Sequence, residues 1–170
     1  DLREYTDSDI RSYMDMKYLN LTKEIRALTM PCEPSGGEID AAIRQCLAEL
    51  EKLCVSELRQ FSPDERDIIR KDGYVFIDLS EIDDFYAVHS INRVGNDGFE
   101  SSIDYYIDGK LLTVPQTDGR SIYSVNYHPS LTNGFDSDRE RCIVRLGDGL
   151  LPAVPLFCAS LLTVSEEPSL

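Results

Sequence analysis

Side chains that titrate, ligate or attack are few in this sequence, and their spacing gathers them poorly. Its two histidines, His89 and His128, have no H-x-H or H-x-x-x-H companion of the kind that grips zinc, so no metal site is expected. Tyr127-His128-Pro129 sets an imidazole where it could assist a nucleophile, and Cys142 or Cys158 with His128 would make a small hydrolase. No G-x-S-x-G elbow or familiar catalytic cysteine setting accompanies them. A strand-end surface histidine is the expected reading.

The carboxylates are more numerous. Asp136, Asp138 and Glu140 alternate like the opening ligands of a calcium loop, yet Arg141 stands at the sixth position, where the sharp turn needs glycine. No glutamate follows at the twelfth. Glu81, Asp83 and Asp84 form a cluster that could pair as general acid and base or bind a cation, but a polar turn before a strand is the simpler expectation. Gly36-Gly37 precedes a helix whose N-terminus suits an anion, although Glu38 already puts negative charge there. No catalytic residue, cofactor or metal is expected, and the chain reads as a non-enzyme.

Charge narrows the partners. Seventeen Lys and Arg against 31 Asp and Glu give a formal charge of −14, which repels phosphate backbones and anionic headgroups. Basic residues form no stripe with aromatics, so no nucleic-acid reader is expected; a surface of one sign can instead line a passage through which DNA slides. The longest apolar stretch, Leu150 to Val164, contains Pro152 and Pro155, so no membrane-spanning helix is expected, and nothing reads as a leader. Five cysteines without C-x-x-C suggest a reduced, intracellular protein with core thiols. Cys46 and Cys54 on one helix would stand about 12 Å apart, beyond disulfide reach.

These groups must be positioned by helices at both ends and strands between, an α+β class. A capping box at Thr6 to Asp9 and apolar residues Ile10, Tyr13, Met14 and Leu21 predict a helix from Asp7 to Leu21. Met30 to Gly37 is a loop. Ser35-Gly-Gly-Glu38 is a second capping box, and Ile39, Ala42, Ile43, Cys46, Leu47, Leu50, Leu53, Cys54 and Leu58 predict an amphipathic helix over 38–60. Ser62-Pro63-Asp64-Glu65, with Gly73 beyond, predicts a short third helix. A β region spans 74–128: after a strand at 74–79, Asp97-Gly98, Asp108-Gly109 and Asp118-Gly119 punctuate an antiparallel meander at 86–95, 99–107, 110–115 and 120–128. Asn133-Gly134 reads as a turn. Residues 142–146 fit a strand or a helix equally, and an apolar helix entered through Pro155 covers about 150–165.

The order of these parts resembles the head-to-tail adaptor (connector) proteins of tailed bacteriophages. Asp104-Tyr-Tyr-Ile-Asp-Gly-Lys-Leu-Leu-Thr-Val-Pro115 is similar to that family's strand, Asp-Gly turn, strand and Pro segment. Ile122-Tyr-Ser-Val-Asn-Tyr-His-Pro129 resembles its following Tyr-x-x-x-Tyr strand. The stretch from Leu150 to Pro168 is similar to the helix these adaptors run back along a helical core. The likeness covers residues 36–170, leaving 1–35 as an N-terminal helix and loop.

What the resemblance implies is a virion structural protein, made in the bacterial cytoplasm. It forms a homo-oligomeric ring, usually a 12-mer, between the portal protein and tail or stopper proteins. DNA passes through the lumen without specific binding, the acidic wall easing its passage, and no catalytic residues are carried over. Candidate assembly contacts are Tyr123, Val125, Tyr127, Leu156, Phe157 and Leu161. The alternatives are another virion structural subunit, or a non-enzymatic interaction module binding a protein through the sheet face of Tyr123, Val125 and Tyr127. Leu47→Asp or Leu161→Asp is expected to unfold the protein by burying an unpaired charge.

Overall fold

The computed structural model describes residues 7–117 and 121–163, and the chain divides into two compact units of mixed α+β composition. One combines Asp1–Val55 with Leu131–Leu170 and is helical; the other, Ser56–Ser130, is built of strands. The division does not fall at residue 35, where the sequence placed it, because the first helix packs on the last ones and shares their core.

In the helical unit, α1 (Asp7–Thr29) extends well past Leu21, since Leu21 and Ile25, one turn apart, are both buried. The helix α2 (Gly36–Lys52) begins at the expected box: Glu38 N–H donates to Ser35 Oγ at 3.2 Å, and Ser35 N–H donates to Glu38 Oε2 at 2.7 Å. Its buried face is Ile39, Ala42, Ile43, Cys46 and Leu47. The helix stops about two turns short of Gln60: Cys54 adopts a positive φ of 51°, and Leu53 and Leu58 are exposed rather than part of the stripe.

Past Ser130 come α3 (Leu131–Ser137), α4 (Arg139–Arg145), α5 (Gly147–Leu150) and α6 (Ala153–Thr163). Asn133-Gly134 lies inside α3 and is not a turn, while 142–146 resolves as helix up to Arg145. Leu131, Phe135, Cys142, Ile143, Val154 and Cys158 close the core over α1 and α2. Pro155 occupies the first turn of α6, where its missing N–H costs nothing. The capping box at Thr6, the turn at Asp118-Gly119 and the acidic end past Val164 lie outside the described residues.

The β unit holds two four-stranded antiparallel sheets instead of one meander. The first runs β1 (Arg59–Phe61), β8 (Ile122–Pro129), β4 (Phe85–Val94), β5 (Glu100–Ser102); the second runs β2 (Ile68–Lys71), β3 (Tyr74–Asp78), β7 (Leu111–Pro115), β6 (Tyr106–Asp108). The expected strand over 99–107 is split, because β5 pairs with β4 in one sheet and β6 with β7 in the other. The predicted third helix is a single 3-10 turn at Glu65–Asp67, after which the β-branched pair Ile68-Ile69 opens a hairpin. Its two-residue loop, Asp72-Gly73, has φ of 55° and 80°, the conformation of the primed turn that matches strand twist.

Strict alternation fills the space between the sheets. Val75, Ile77, Leu112 and Val114 come from one, and Ile91, Tyr123, Val125 and Tyr127 from the other. The first and last strands of the unit, β1 and β8, are hydrogen-bonded neighbours, with Arg59 opposite Tyr127.

Candidate functional site

Period-two alternation has a second product, the outer face of each sheet. In the β2-β3-β7-β6 sheet the buried residues fix which partners point away: Ile69, Phe76, Thr113 and Tyr106 form one row straight across all four strands. Tyr74 and Pro115 flank it on one side and Leu111 on the other. Ile69 is 61% exposed, Tyr106 69%, Tyr74 49% and Leu111 43%. Taking ~200 Å² for a large side chain, these four leave roughly 400 Å² of apolar surface in water, comparable with the largest patch on an ordinary monomer. The outer face of the other sheet is polar over Gln60, Ser90, Asn92, Ser124 and Asn126, with Ile122 exposed at its end; Asn126 Nδ2 donates to Ser90 Oγ at 3.1 Å and Asn92 Nδ2 to Glu100 Oε1 at 2.8 Å.

Of the candidate contacts, Tyr123, Val125 and Tyr127 are corrected by this geometry. They are 3%, 0% and 6% exposed, so they form the interior and no partner can reach them. The amphipathic alternation of β8 was read correctly but its apolar side faces the second sheet. Leu156 does stand free on α6 at 65% exposure, whereas Phe157 and Leu161 are half-buried against the helical core. The other outward groups on α6 are hydroxyls bonded back to the helix, Ser160 Oγ to Phe157 O at 2.7 Å and Thr163 Oγ1 to Ala159 O at 2.8 Å. Sequence reasoning missed the Ile69, Phe76, Tyr106 row because it assigned β2 to a helix; its signal is the Ile68-Ile69 pair before Asp72-Gly73.

No protein-family model, curated protein or solved structure matches this chain.

Several of the carboxylates that the sequence singles out are engaged within the fold. Asp84 is ion-paired with Arg59 and accepts from Tyr127 Oη at 2.9 Å, while the exposed Glu81 sits 3.8 Å from Arg66. Asp138 Oδ1 accepts from Arg141 N–H at 3.1 Å at the start of α4, and Asp136 pairs with Arg44 at 2.5 Å; both serve helix ends and interhelix ties, not a cation. Glu51 Oε2 accepts from both the backbone N–H and Oγ1 of Thr132 at 3.1 Å, joining the end of α2 to the start of α3. Asp40, Tyr18 and Arg139 form one cluster: Tyr18 donates to Asp40, Arg139 reaches Asp40 Oδ2 at 2.7 Å, and burial together with the Asp40 hydrogen bond raises the Tyr18 pKa.

Cys46 and Cys158 share a hydrogen bond inside the helical unit, which raises Cys158, with burial adding to it, and lowers Cys46. Cys142 donates to Leu131 O at 3.3 Å. All three are buried, so none offers a thiolate to a substrate. His128 and His89 stack edge to face at 5.2 Å on the polar sheet face, where His89 occupies a bulge in β4. Burial lowers the His128 pKa and the His89 charge lowers it further. Among the described residues no set of three His, Cys, Asp or Glu side chains could hold a metal, and no helix is long and apolar enough to cross a membrane.

Proposed function

We propose that this chain is a structural subunit of a phage neck, assembling head-to-tail into a ring that joins a portal protein to tail or stopper proteins and lets DNA pass through. The observation that carries the assembly part is the Ile69, Phe76, Tyr106 row: an apolar band across all four strands, bordered by Lys71 on one side and by Asp78 and Asp108 on the other, on a chain of formal charge −14. Such a strongly charged chain is held apart from its copies by long-range repulsion, so a face of this kind reads as the place where short-range burial overcomes it. Leu156 on α6 supplies a further exposed apolar group on the helical unit. The likeness of residues 104–129 and 150–168 to the adaptors supplies the phage context, with α2 and α6 as the helical core and the β unit inserted between them in the sequence. The acidity suits a lumen wall that lets a polyanion slide.

The test is cryo-electron microscopy of the purified chain alone and mixed with purified portal. Closed rings with an open channel, alone or templated on the portal, are expected. A chain that stays monomeric and binds no portal would overturn the neck reading and leave an interaction module, in which the same apolar face docks one heterologous partner.

A further inference from the structure

At one position the alternation of β4 breaks its own rule. Ile91 is fully buried between the sheets, and two residues on, with the same parity and opposite the buried Tyr123, stands Arg93. An apolar residue is expected there. Departures of this kind from a consistent local pattern concentrate at functional sites.

Three described cations are half-buried, Lys17, Arg59 and Arg93. The first two have partners, whereas the Arg93 side chain has no hydrogen bond or ion pair among the described residues. Half-burying a guanidinium without a directly bonded anion costs solvation that no described side chain returns by a hydrogen bond or ion pair, although Asp97 lies in the same cleft. The cost falls in a cleft of about 380 Å³ lined by Arg93, Asn96, Phe99, Ser101, Thr117 and Ser121, with Gly95 and Asp97 at the turn. Asn96 and the hydroxyls of Ser101, Thr117 and Ser121 line the same cleft, Thr117 and Ser121 bonded to each other at 3.4 Å, and Phe99 is 76% exposed at the rim.

The geometry points to a carboxylate-binding site: the Arg93 cleft takes an Asp or Glu side chain, with an adjoining apolar group on Phe99, from a second copy of this chain. A guanidinium fork matches a carboxylate, and the neighbouring hydroxyls and amide can satisfy its remaining lone pairs. A phosphate fits worse. Asp97 also lines the cleft, its Oδ1 accepting from Phe99 N–H at 3.1 Å, so one cation faces one fixed anion and a dianion would be left undercompensated. The second copy is the occupant because a chain with 31 acidic and 17 basic residues brings surplus carboxylates to any contact with itself. That identity of the occupant rests on the assembly reading; the binding chemistry does not.

Two measurements separate them. Arginine-labelled protein is titrated with capped tetraglutamate at low ionic strength while the Arg93 Nε–H resonance is followed by NMR, with tetraglutamine and inorganic phosphate as controls. A saturable shift with tetraglutamate alone is expected, and repulsion by the chain's net charge makes indiscriminate binding of this probe unfavourable. Arg93→Gln should weaken binding by about tenfold or more, and Arg93→Leu should abolish it while leaving the melting temperature unchanged or higher. No shift, or an equal shift with phosphate at tenfold lower concentration, overturns the site. If tetraglutamate binds but Arg93→Gln leaves self-association untouched, or the wild type self-associates neither alone nor on the portal, the second copy is overturned as occupant; the latter result counts against the neck reading as well.

Discussion

Replacing Ile69 and Tyr106 together by glutamate isolates the apolar sheet face from the fold beneath it. Both side chains point away from the interior, at 61% and 69% exposure, so the folded monomer loses little: about 0.5 kcal/mol or less is usual for such surface changes. In an assembly the same two residues would cover roughly 260 Å² at ~200 Å² for each whole side chain, worth about 6 kcal/mol of transfer at about 25 cal/mol per Å². Association returns only a fraction of transfer energy; half, about 3 kcal/mol, is about a hundredfold in Kd. Two added carboxylates on a chain already at −14 act in the same direction. Sedimentation velocity should show a hundredfold shift toward monomer, with the circular dichroism melt superimposable on wild type. Assembly at wild-type concentrations would refute the face as a contact, and a melt several degrees lower would show that these residues belong to the core.

Three further outcomes are expected. Leu47→Asp places an uncompensated charge at a fully buried position of the helical core, costs more than about 4 kcal/mol, and should abolish the helical signal at 25 °C. For Leu161→Asp the half-burial observed predicts a smaller loss than complete unfolding. Asp84→Ala removes the carboxylate that pairs with Arg59 and accepts from Tyr127 and should destabilise by about 2–3 kcal/mol in urea titrations, with Asp84→Asn recovering part of it. The folded-state pKa of His128 lies below the ordinary 6.5, so the unfolded chain binds its proton more readily. Stability is complete above pH 6.5 and declines as pH falls through 6.5 toward the folded pKa; NMR titration should place His128 below 6.5, and His128→Gln should flatten the decline.

Where physics is local, the sequence was a sufficient guide. The Ser35–Glu38 box, the α2 stripe as far as Leu47, Pro155 in the first turn of α6, and the Asp97-Gly98 and Asp108-Gly109 turns all follow from neighbours within a few residues. Errors arose where distant pairing outweighed propensity. Leu53 and Leu58 continue a helical period, but the chain leaves the helix so that Arg59–Phe61 can pair with β8, more than sixty residues away. Ser62 to Glu65 carries a helix-start signature that yields one 3-10 turn, because Ile68–Lys71 is held as a strand by β3. Three of the six candidate contacts failed on a question that periodicity does not answer. Tyr123, Val125 and Tyr127 define an apolar face, but only the existence of a second sheet decides that this face is interior. Arg93 was legible in position and not in meaning, since its oddity exists only relative to Ile91 and Tyr123.

The β unit begins and ends on paired strands, and the helical unit joins the residues on either side of the interruption through Glu51 and Thr132. For the helical unit, the 75-residue excursion from Ser56 to Ser130 is thus a hairpin with a very large head. Left as a floppy loop it would carry a closure entropy of about 4 kcal/mol, whereas a folded insert that holds its own ends side by side removes most of that penalty. Heredity can treat such an insert as a cassette. It can be lengthened, exchanged or trimmed to a short turn while the helices on both sides keep their contacts, so the decorated surface can evolve at a different pace from the frame that carries it.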